Sequence, residues 1–390
     1  MIKGGPKIIN DGLVLCLDAH DAKSYAGEPT TNLAASAGYP NFSNWVAEGT
    51  AEKISAGYNF QGQPVYKCNT SVGLSYQGIW RTITGLRTAA SGGSVTVSVW
   101  VKNPNSTSYN FYAYIGHDFS STRTLEANSD WQRIEWTVLE SSMANDYVEY
   151  RPYTNTAGVY IHMTMPQVEV KTYATPWVDG SRSTTDAWID RSGNSSHGDF
   201  YNGLGTGASH YRDGQVIMPV ANSYLEFDGT NDSIVIDDVS NISLTAGSVE
   251  AWVKMDSISG NKVIVAYGGN GTNTGWLLQS ENSTSNKIGF LVFGAASAYS
   301  GNTLSTGYLN NWTHFIGTYG GGAVKFYANG ALVTSTATST NVSSSSTLRV
   351  GNEYNRSYFL DGQLGLVRIY NKTLTAAEVL SNYNATKERF

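Results

Sequence analysis

Cysteine is almost absent from this chain: Cys16 and Cys68 are the only two among 390 residues. That excludes a disulfide-stapled scaffold and a cysteine-rich metal cluster. Cys16 alternates with leucines in Leu13-Val14-Leu15-Cys16-Leu17, the pattern of a buried free thiol. Charge is also scarce. Charged residues make up 14% of the chain, the net charge is -6, and Lys and Arg stand singly. Nucleic acid demands clustered basic side chains, so it is excluded as a partner. No apolar run approaches the ~20 residues that cross a bilayer, so no membrane insertion is expected. At the N-terminus, Pro6 and Asp11-Gly12 interrupt the short apolar stretches at Ile8-Ile9 and Leu13–Leu17. No signal peptide is read there, and folding in a reducing cytoplasm is expected.

The signatures of catalysis are missing too. The six histidines are scattered, with none at metal-ligand spacing to another. Gly-x-Ser-x-Gly is absent, and Gly268-Gly269-Asn270-Gly271 lacks the Lys-Ser/Thr that a phosphate loop requires. Glycoside hydrolysis needs two carboxylates facing each other across the scissile bond. Alternating acids of the Glu-x-Asp-x-x-Glu kind, which would place such a pair on one strand face, do not occur. Glu250 has no acidic partner two residues away. Glu226 and Asp228 share a face, but an acid before Gly229 suits bonding to its own turn backbone.

What is present is the raw material of short strands and tight turns: Gly 41, Tyr 25 and Trp 10. A partial echo organises it. Ser98-Val99-Trp100-Val101-Lys102 resembles Ser248-Val249-Glu250-Ala251-Trp252-Val253-Lys254, and each is followed by a second tryptophan strand, at Trp131 and at Trp312. The unequal spacing rules out a tandem repeat of fixed period. Two β-sandwiches needing the same kind of strand account for the echo, with Trp100, Trp131, Trp252 and Trp312 expected in their cores. In the first strand Val95, Val97, Val99 and Val101 fall on one face at period 2, and Thr96, Ser98, Trp100 and Lys102 take the other. Asp228-Gly229 and Asn329-Gly330 carry the composition of two-residue hairpin turns. Thr375-Ala376-Ala377-Glu378 reads as a capping box opening a helix at Val379-Leu380. The expected fold class is all-β: two antiparallel β-sandwich (jelly-roll) domains and one short C-terminal helix.

Two resemblances follow from these residues. Leu225-Glu226-Phe227-Asp228-Gly229-Thr230-Asn231-Asp232, Val249–Lys254, Trp312-Thr313-His314-Phe315, Val324–Gly330 and Leu364–Asn371 resemble, in order, a laminin G-like, concanavalin A-like jelly roll. Asn41-Phe42-Ser43-Asn44-Trp45, Ser98–Lys102, Trp131-Gln132-Arg133, Val159-Tyr160-Ile161, Pro166–Val170 and Tyr173–Trp177 resemble a carbohydrate-binding-module-like jelly roll of the kind seen in bacteriophage virion proteins. In laminin G-like proteins the opening strand resembles Gly12–Ala19 and is soon followed by a segment like Trp188–Asn194. The resemblance therefore implies three segments: 1–29, an arm and first strand belonging to the C-terminal sandwich; 30–180, an inserted carbohydrate-binding-module-like sandwich; and 181–390, the laminin G-like jelly roll. The alternative is a serial order in which Leu13–Asp18 pairs inside the 30–180 module.

The resemblance also implies a biological role, that of a non-enzymatic virion surface protein, either fibre, adhesin or decoration subunit. It would bind host-surface polysaccharide or glycan and other virion proteins, and would assemble as a homo-oligomer located on the virion. The competing readings are a purely structural capsid or tail decoration protein without sugar binding, and a glycoside hydrolase. Sugar binding would use aromatic rings stacked on pyranose faces. Tyr112 and Tyr114, on one face of their strand, are the leading candidates, with Trp45, Tyr299, Tyr354 and Tyr358; Tyr58, Tyr66, Trp80 and Tyr153 are further aromatics of the first module. No organic cofactor is expected. Relatives often hold calcium at the Asp-Gly-x-x-Asp turn, which makes Asp228 and Asp232 the candidate metal ligands here. Gly365-Leu366, where relatives often carry Asp-Glu, removes two possible carboxylates from that set.

Overall fold

A computed structural model describes the chain apart from residues 1–6, 22, 26–29, 36–41, 48–51, 71–77, 117, 154–158, 176, 179–180, 186, 202–223, 237, 259, 270–272, 282–286, 295–297, 304–307, 339–340, 346 and 354–357. Strands dominate, as period-2 alternation and the supply of turn residues require. The chain divides into two units, one made of Met1–Pro29 with Ser183–Phe390 and the other of Thr30–Arg182.

The discontinuous unit is a sandwich of two seven-stranded antiparallel sheets. In the first, Leu13–Asp18 pairs with Asp361–Tyr370, which continues to Gly247–Met255, Thr313–Gly320, Ala323–Ala328 and Ala331–Ala337. Leu13–Asp18 and its partner are thus far apart in sequence yet adjacent in the sheet. The second sheet runs from Gly198–Tyr201 through Ser233–Ile236, Leu348–Val350, Lys262–Gly269, Thr274–Glu281 and Lys287–Val292 to Ala298–Thr303. Leu15, Leu17, Val249, Ala251, Val253, Trp276, Phe290 and Phe315 are among the side chains that fill the space between them. Burial of such side chains is the main favourable contribution to folding.

The Thr30–Arg182 unit is a smaller sandwich. One sheet orders Arg123–Leu125, Tyr109–Ile115, Tyr147–Tyr153, Ile79–Thr82 and Val46–Ala47. The other orders Gln132–Leu139, Ser94–Lys102, Val159–Glu169, Gln63–Thr70 and Glu52–Phe60. Val95, Val97, Val99 and Val101 point between the sheets, into a core shared with Phe111, Ile115 and Tyr150. Thr30–Thr31 pairs with Ser181–Arg182, so the two ends of this unit lie side by side.

Two turn signals part company here. Asn329-Gly330 is a hairpin turn, with both residues in the left-handed region that this turn type needs (φ 48° and 78°). Asp228-Gly229 is not. Leu225–Asp228 pairs with Asp361–Tyr370 in one sheet, whereas Ser233–Ile236 pairs in the other, so the turn carries the chain between sheets. The capping box forms in full: the Thr375 hydroxyl accepts from Glu378 N, and the Glu378 carboxylate accepts from Thr375 N. It opens the helix Ala376–Thr386. A second, five-residue helix at Leu86–Ala90 carries no sequence signal strong enough to announce it.

The expectation for the tryptophans of the echo is corrected. Trp100 and Trp252 are buried, but each alternates with residues of the main core and so points to the outward face of its sheet. Trp100 lies under Phe60, itself stacked on Trp131 at 4.4 Å. Trp252 lies under the C-terminal helix: its indole N–H donates to Thr386 Oγ1 at 2.8 Å, and Tyr383 and Phe390 stack on it. Trp131 and Trp312 are only half-buried. The repeated motif therefore marks where a sheet is covered from outside, not where two sheets meet.

Candidate functional site

The outward face of the sheet that holds Tyr147–Tyr153 in the Thr30–Arg182 unit gathers aromatic and charged side chains. Strand Tyr147–Tyr153 alternates strictly. Val148 and Tyr150 point into the core, and Tyr147, Glu149 and Arg151 point outward. Glu149 lies directly opposite Trp80 on one neighbouring strand and Tyr114 on the other. Cross-strand partners share a face, so Trp80, Glu149 and Tyr114 form one row across three strands. Arg151 and Tyr112 form the next row.

An ion pair holds the floor of this face. Arg151 Nη2 and the Tyr147 hydroxyl both donate to Glu149 Oε2. Glu149 is 0% and Arg151 4% exposed. Burial alone would lower the Arg151 pKa, but the Glu149 carboxylate, and the hydrogen bonds that Arg151 donates to Tyr112 and Tyr147, raise it, so the guanidinium stays charged. Its carbon sits 4.8 Å from the centroid of the Tyr114 ring, within cation–π range. Tyr147 packs against Trp80 at 5.2 Å and edge-on to Tyr114 at 5.8 Å. Gly78, just before the Trp80 strand, permits the close packing. A Cβ there would meet Tyr150 O at 2.4 Å and Glu149 Oε1 at 2.6 Å.

Of the expected ligand-binding aromatics, the structure brings Tyr112, Tyr114 and Trp80 together. Tyr114 and Trp80 are half-buried and form the rim, while Tyr112 is 5% exposed and belongs to the floor. Trp45 is a correction. Its ring is 2% exposed, stacked on Tyr150 at 5.3 Å between the sheets, and presents no face to a ligand. Tyr358 is half-buried and packs on Val263, Ala266, Leu277 and Phe293 in the other unit. Tyr354 and the side chains of Tyr299 and Tyr153 lie outside the described residues. Tyr147, Glu149 and Arg151 escaped the sequence reading, although the alternation Tyr147-Val148-Glu149-Tyr150-Arg151 held the signal.

The Asp228–Asp232 turn is satisfied internally. Asp228 Oδ1 accepts from Thr230 N at 2.8 Å, and Asp232 Oδ2 accepts from Asp228 N at 3.1 Å. Calcium takes six to eight oxygen ligands. Among the described residues no group of three or more His, Cys, Asp or Glu side chains is placed to hold a metal. Burial pushes the Asp232 carboxyl up to about 6.

Glu250, the acid weighed above for hydrolysis, is sealed. It is 0% exposed. Its Oε1 accepts from Arg368 Nη1 at 2.9 Å and meets His314 Nε2 at 3.0 Å, and its Oε2 accepts from Asn382 Nδ2 at 2.8 Å and from the Tyr370 hydroxyl at 3.3 Å. Burial alone would raise its pKa, but the Arg368 charge and the His314 and Asn382 contacts outweigh this and hold it at about 2.

Residues 228–380 match the family described as the concanavalin A-like lectin/glucanases superfamily. The larger unit has the concanavalin A-like fold. Curated protein sequences give no match. Among solved structures, the binding domain of botulinum neurotoxin DC in complex with rat synaptotagmin II is 14% identical with TM-score 0.39, covering 52% of this chain and 50% of that one. The binding domain of Paraclostridial Mosquitocidal Protein 1 is 17% identical with TM-score 0.41, over 52% and 50%. The botulinum neurotoxin type G receptor binding domain is 17% identical with TM-score 0.38, again over 52% and 50%. This chain therefore spans about half the length of the solved chains it matches. Among the described residues, no helix is long and apolar enough to cross a membrane.

Proposed function

We propose that this protein is a non-enzymatic adhesin of a bacteriophage virion surface, a fibre or decoration subunit, whose Thr30–Arg182 unit binds host-surface glycan through Trp80, Tyr114 and Tyr147. The observation that carries this reading is the cross-strand row Trp80–Glu149–Tyr114, in which two half-exposed rings flank a fixed carboxylate. A pyranose has one C–H face that stacks on an aromatic ring, and hydroxyls that suit charged and phenolic neighbours. Rings locked by an ion pair lose little freedom on binding, which favours affinity.

The family description for residues 228–380 covers both lectins and glucanases. Binding is favoured over hydrolysis by the state of the acids. Glu250 is ionised and tied to four partners, and Glu149 is tied to Arg151 and Tyr147. A hydrolase needs one carboxylic acid free to donate a proton and a second across a gap. Virion placement, contacts with other virion proteins and homo-oligomeric assembly belong to the same reading, through the phage-like pairing of jelly rolls.

The test is a glycan array probed with the full chain, carried across Tyr114→Ala and Trp80→Ala. Binding to bacterial surface glycans is expected, weakened about tenfold or more by either substitution with cooperative unfolding retained. Tight binding to phage particles with no glycan bound would replace this reading with pure decoration. Release of reducing sugar would replace it with hydrolysis.

A further inference from the structure

The concanavalin A-like unit carries an open groove of about 550 Å³, within the range of small-molecule sites. Trp312, Tyr224 and Phe390 form its aromatic side, and Lys254, Gln363, Asn310 and Asn311 its polar side. Trp312 is half-buried, with its ring 4.9 Å from Phe390 and 5.8 Å from Tyr224. Lys254 and Gln363 lie directly opposite one another on adjacent strands, so both stand on one face.

The loop that supplies the amides is pinned. Asn310 N donates to Met255 O at 2.9 Å, and Asn310 sits in the left-handed region at φ 57°. Asn311 Nδ2 donates to Leu309 O at 3.1 Å, and the Thr313 hydroxyl donates to Asn311 O at 3.2 Å. A preorganised cradle of this kind loses little entropy on binding.

The lining narrows the ligand class. A phosphate-bearing ligand is held by several cations or by a helix N-terminus, and this groove has one lysine. An apolar ligand needs mainly apolar walls, and here amides and an amine make up the larger share. A polyol with one C–H face matches both sides at once: the face on Trp312, the hydroxyls on Asn310, Asn311, Gln363 and Lys254.

We infer that this groove is a second saccharide-binding site, independent of the Trp80–Tyr114 face and sized for a terminal sugar residue. Its ligand class rests on the glycan-binding reading given above, and one experiment separates the two. The full chain is prepared with 5-fluorotryptophan, and the resonances of Trp312 and Trp80 among its ten tryptophans are assigned with Trp312→Phe and Trp80→Phe. The probes are free glucose, galactose, mannose, rhamnose, N-acetylglucosamine and N-acetylgalactosamine. At least one sugar is expected to shift the Trp312 resonance saturably, and Asn311→Ala and Gln363→Ala are each expected to weaken that response about tenfold while the Trp80 resonance is unaffected by either substitution. A Trp312 resonance unmoved by every sugar, with Trp80 responding, overturns this inference and leaves the first site standing. Silence at both positions overturns both.

Discussion

Arg368 Nη1 lies 2.9 Å from Glu250 Oε1, and neither side chain is more than 1% exposed. The pair sits beneath the C-terminal helix, whose Asn382 adds a hydrogen bond to Glu250 Oε2. Removing one partner of a buried pair strands the other charge. Glu250→Ala is therefore expected to cost about 3–5 kcal/mol, read from denaturant unfolding. The double substitution Glu250→Leu with Arg368→Met is expected to be less destabilised than Glu250→Ala alone. A cost below about 1 kcal/mol for Glu250→Ala would contradict the structural role assigned to the pair.

The pH dependence of stability has two opposing contributions. Glu250 is held at about 2, below its ordinary value, so its contribution is present above the ordinary glutamate range and is lost as pH falls toward 2. Asp232 is pushed up to about 6, so its contribution is present below the ordinary aspartate range and is lost as pH rises through 6. Asp232→Asn keeps an oxygen acceptor for Asp228 N and removes the titration. It is expected to raise Tm relative to the parent at about pH 8 and to leave it nearly unchanged at about pH 4. Thermal scans across that interval check the sign.

Thr375 and Glu378 close a reciprocal cap on the helix that covers Trp252 and Glu250. Thr375→Ala is expected to cost about 1 kcal/mol. Because the helix covers Trp252, a fluorescence change in step with the lost stability is also expected, which monitoring the unfolding of single-tryptophan variants would show.

Gly78 has no room for a methyl group beside Tyr150 O and Glu149 Oε1. Gly78→Ala is expected to destabilise the chain by about 1–3 kcal/mol. It should also weaken glycan binding by displacing Glu149 and Arg151 beneath the rings. Unaltered stability and binding would mean the floor of the face is softer than its packing implies.

The sequence went far toward the architecture. Period-2 alternation at Val95–Val101, the Asn329-Gly330 turn and the Thr375–Glu378 box are local patterns with local causes, and each takes its expected form. Asp228-Gly229 shows where local reading ends. Composition specifies a tight turn with left-handed backbone, but not whether the strands on either side pair with each other. That depends on Asp361–Tyr370, distant in the chain, competing for Leu225–Asp228.

The candidate site was legible only in halves. Tyr112 and Tyr114 alternate visibly on their own strand, but Trp45 and Trp80 look alike in sequence and differ only in which side of a sheet they occupy.

What the sequence determined by itself was the kind of element at each position, since strand, turn and cap follow from propensity and spacing over a few residues. What only the tertiary structure decided was which strands became neighbours, and with them the row Trp80–Glu149–Tyr114, the pairing of Leu13–Asp18 with Asp361–Tyr370, and the sealing of Glu250. Those depend on register between segments distant in sequence, and register is selected by the burial of whole faces at once rather than by any single residue.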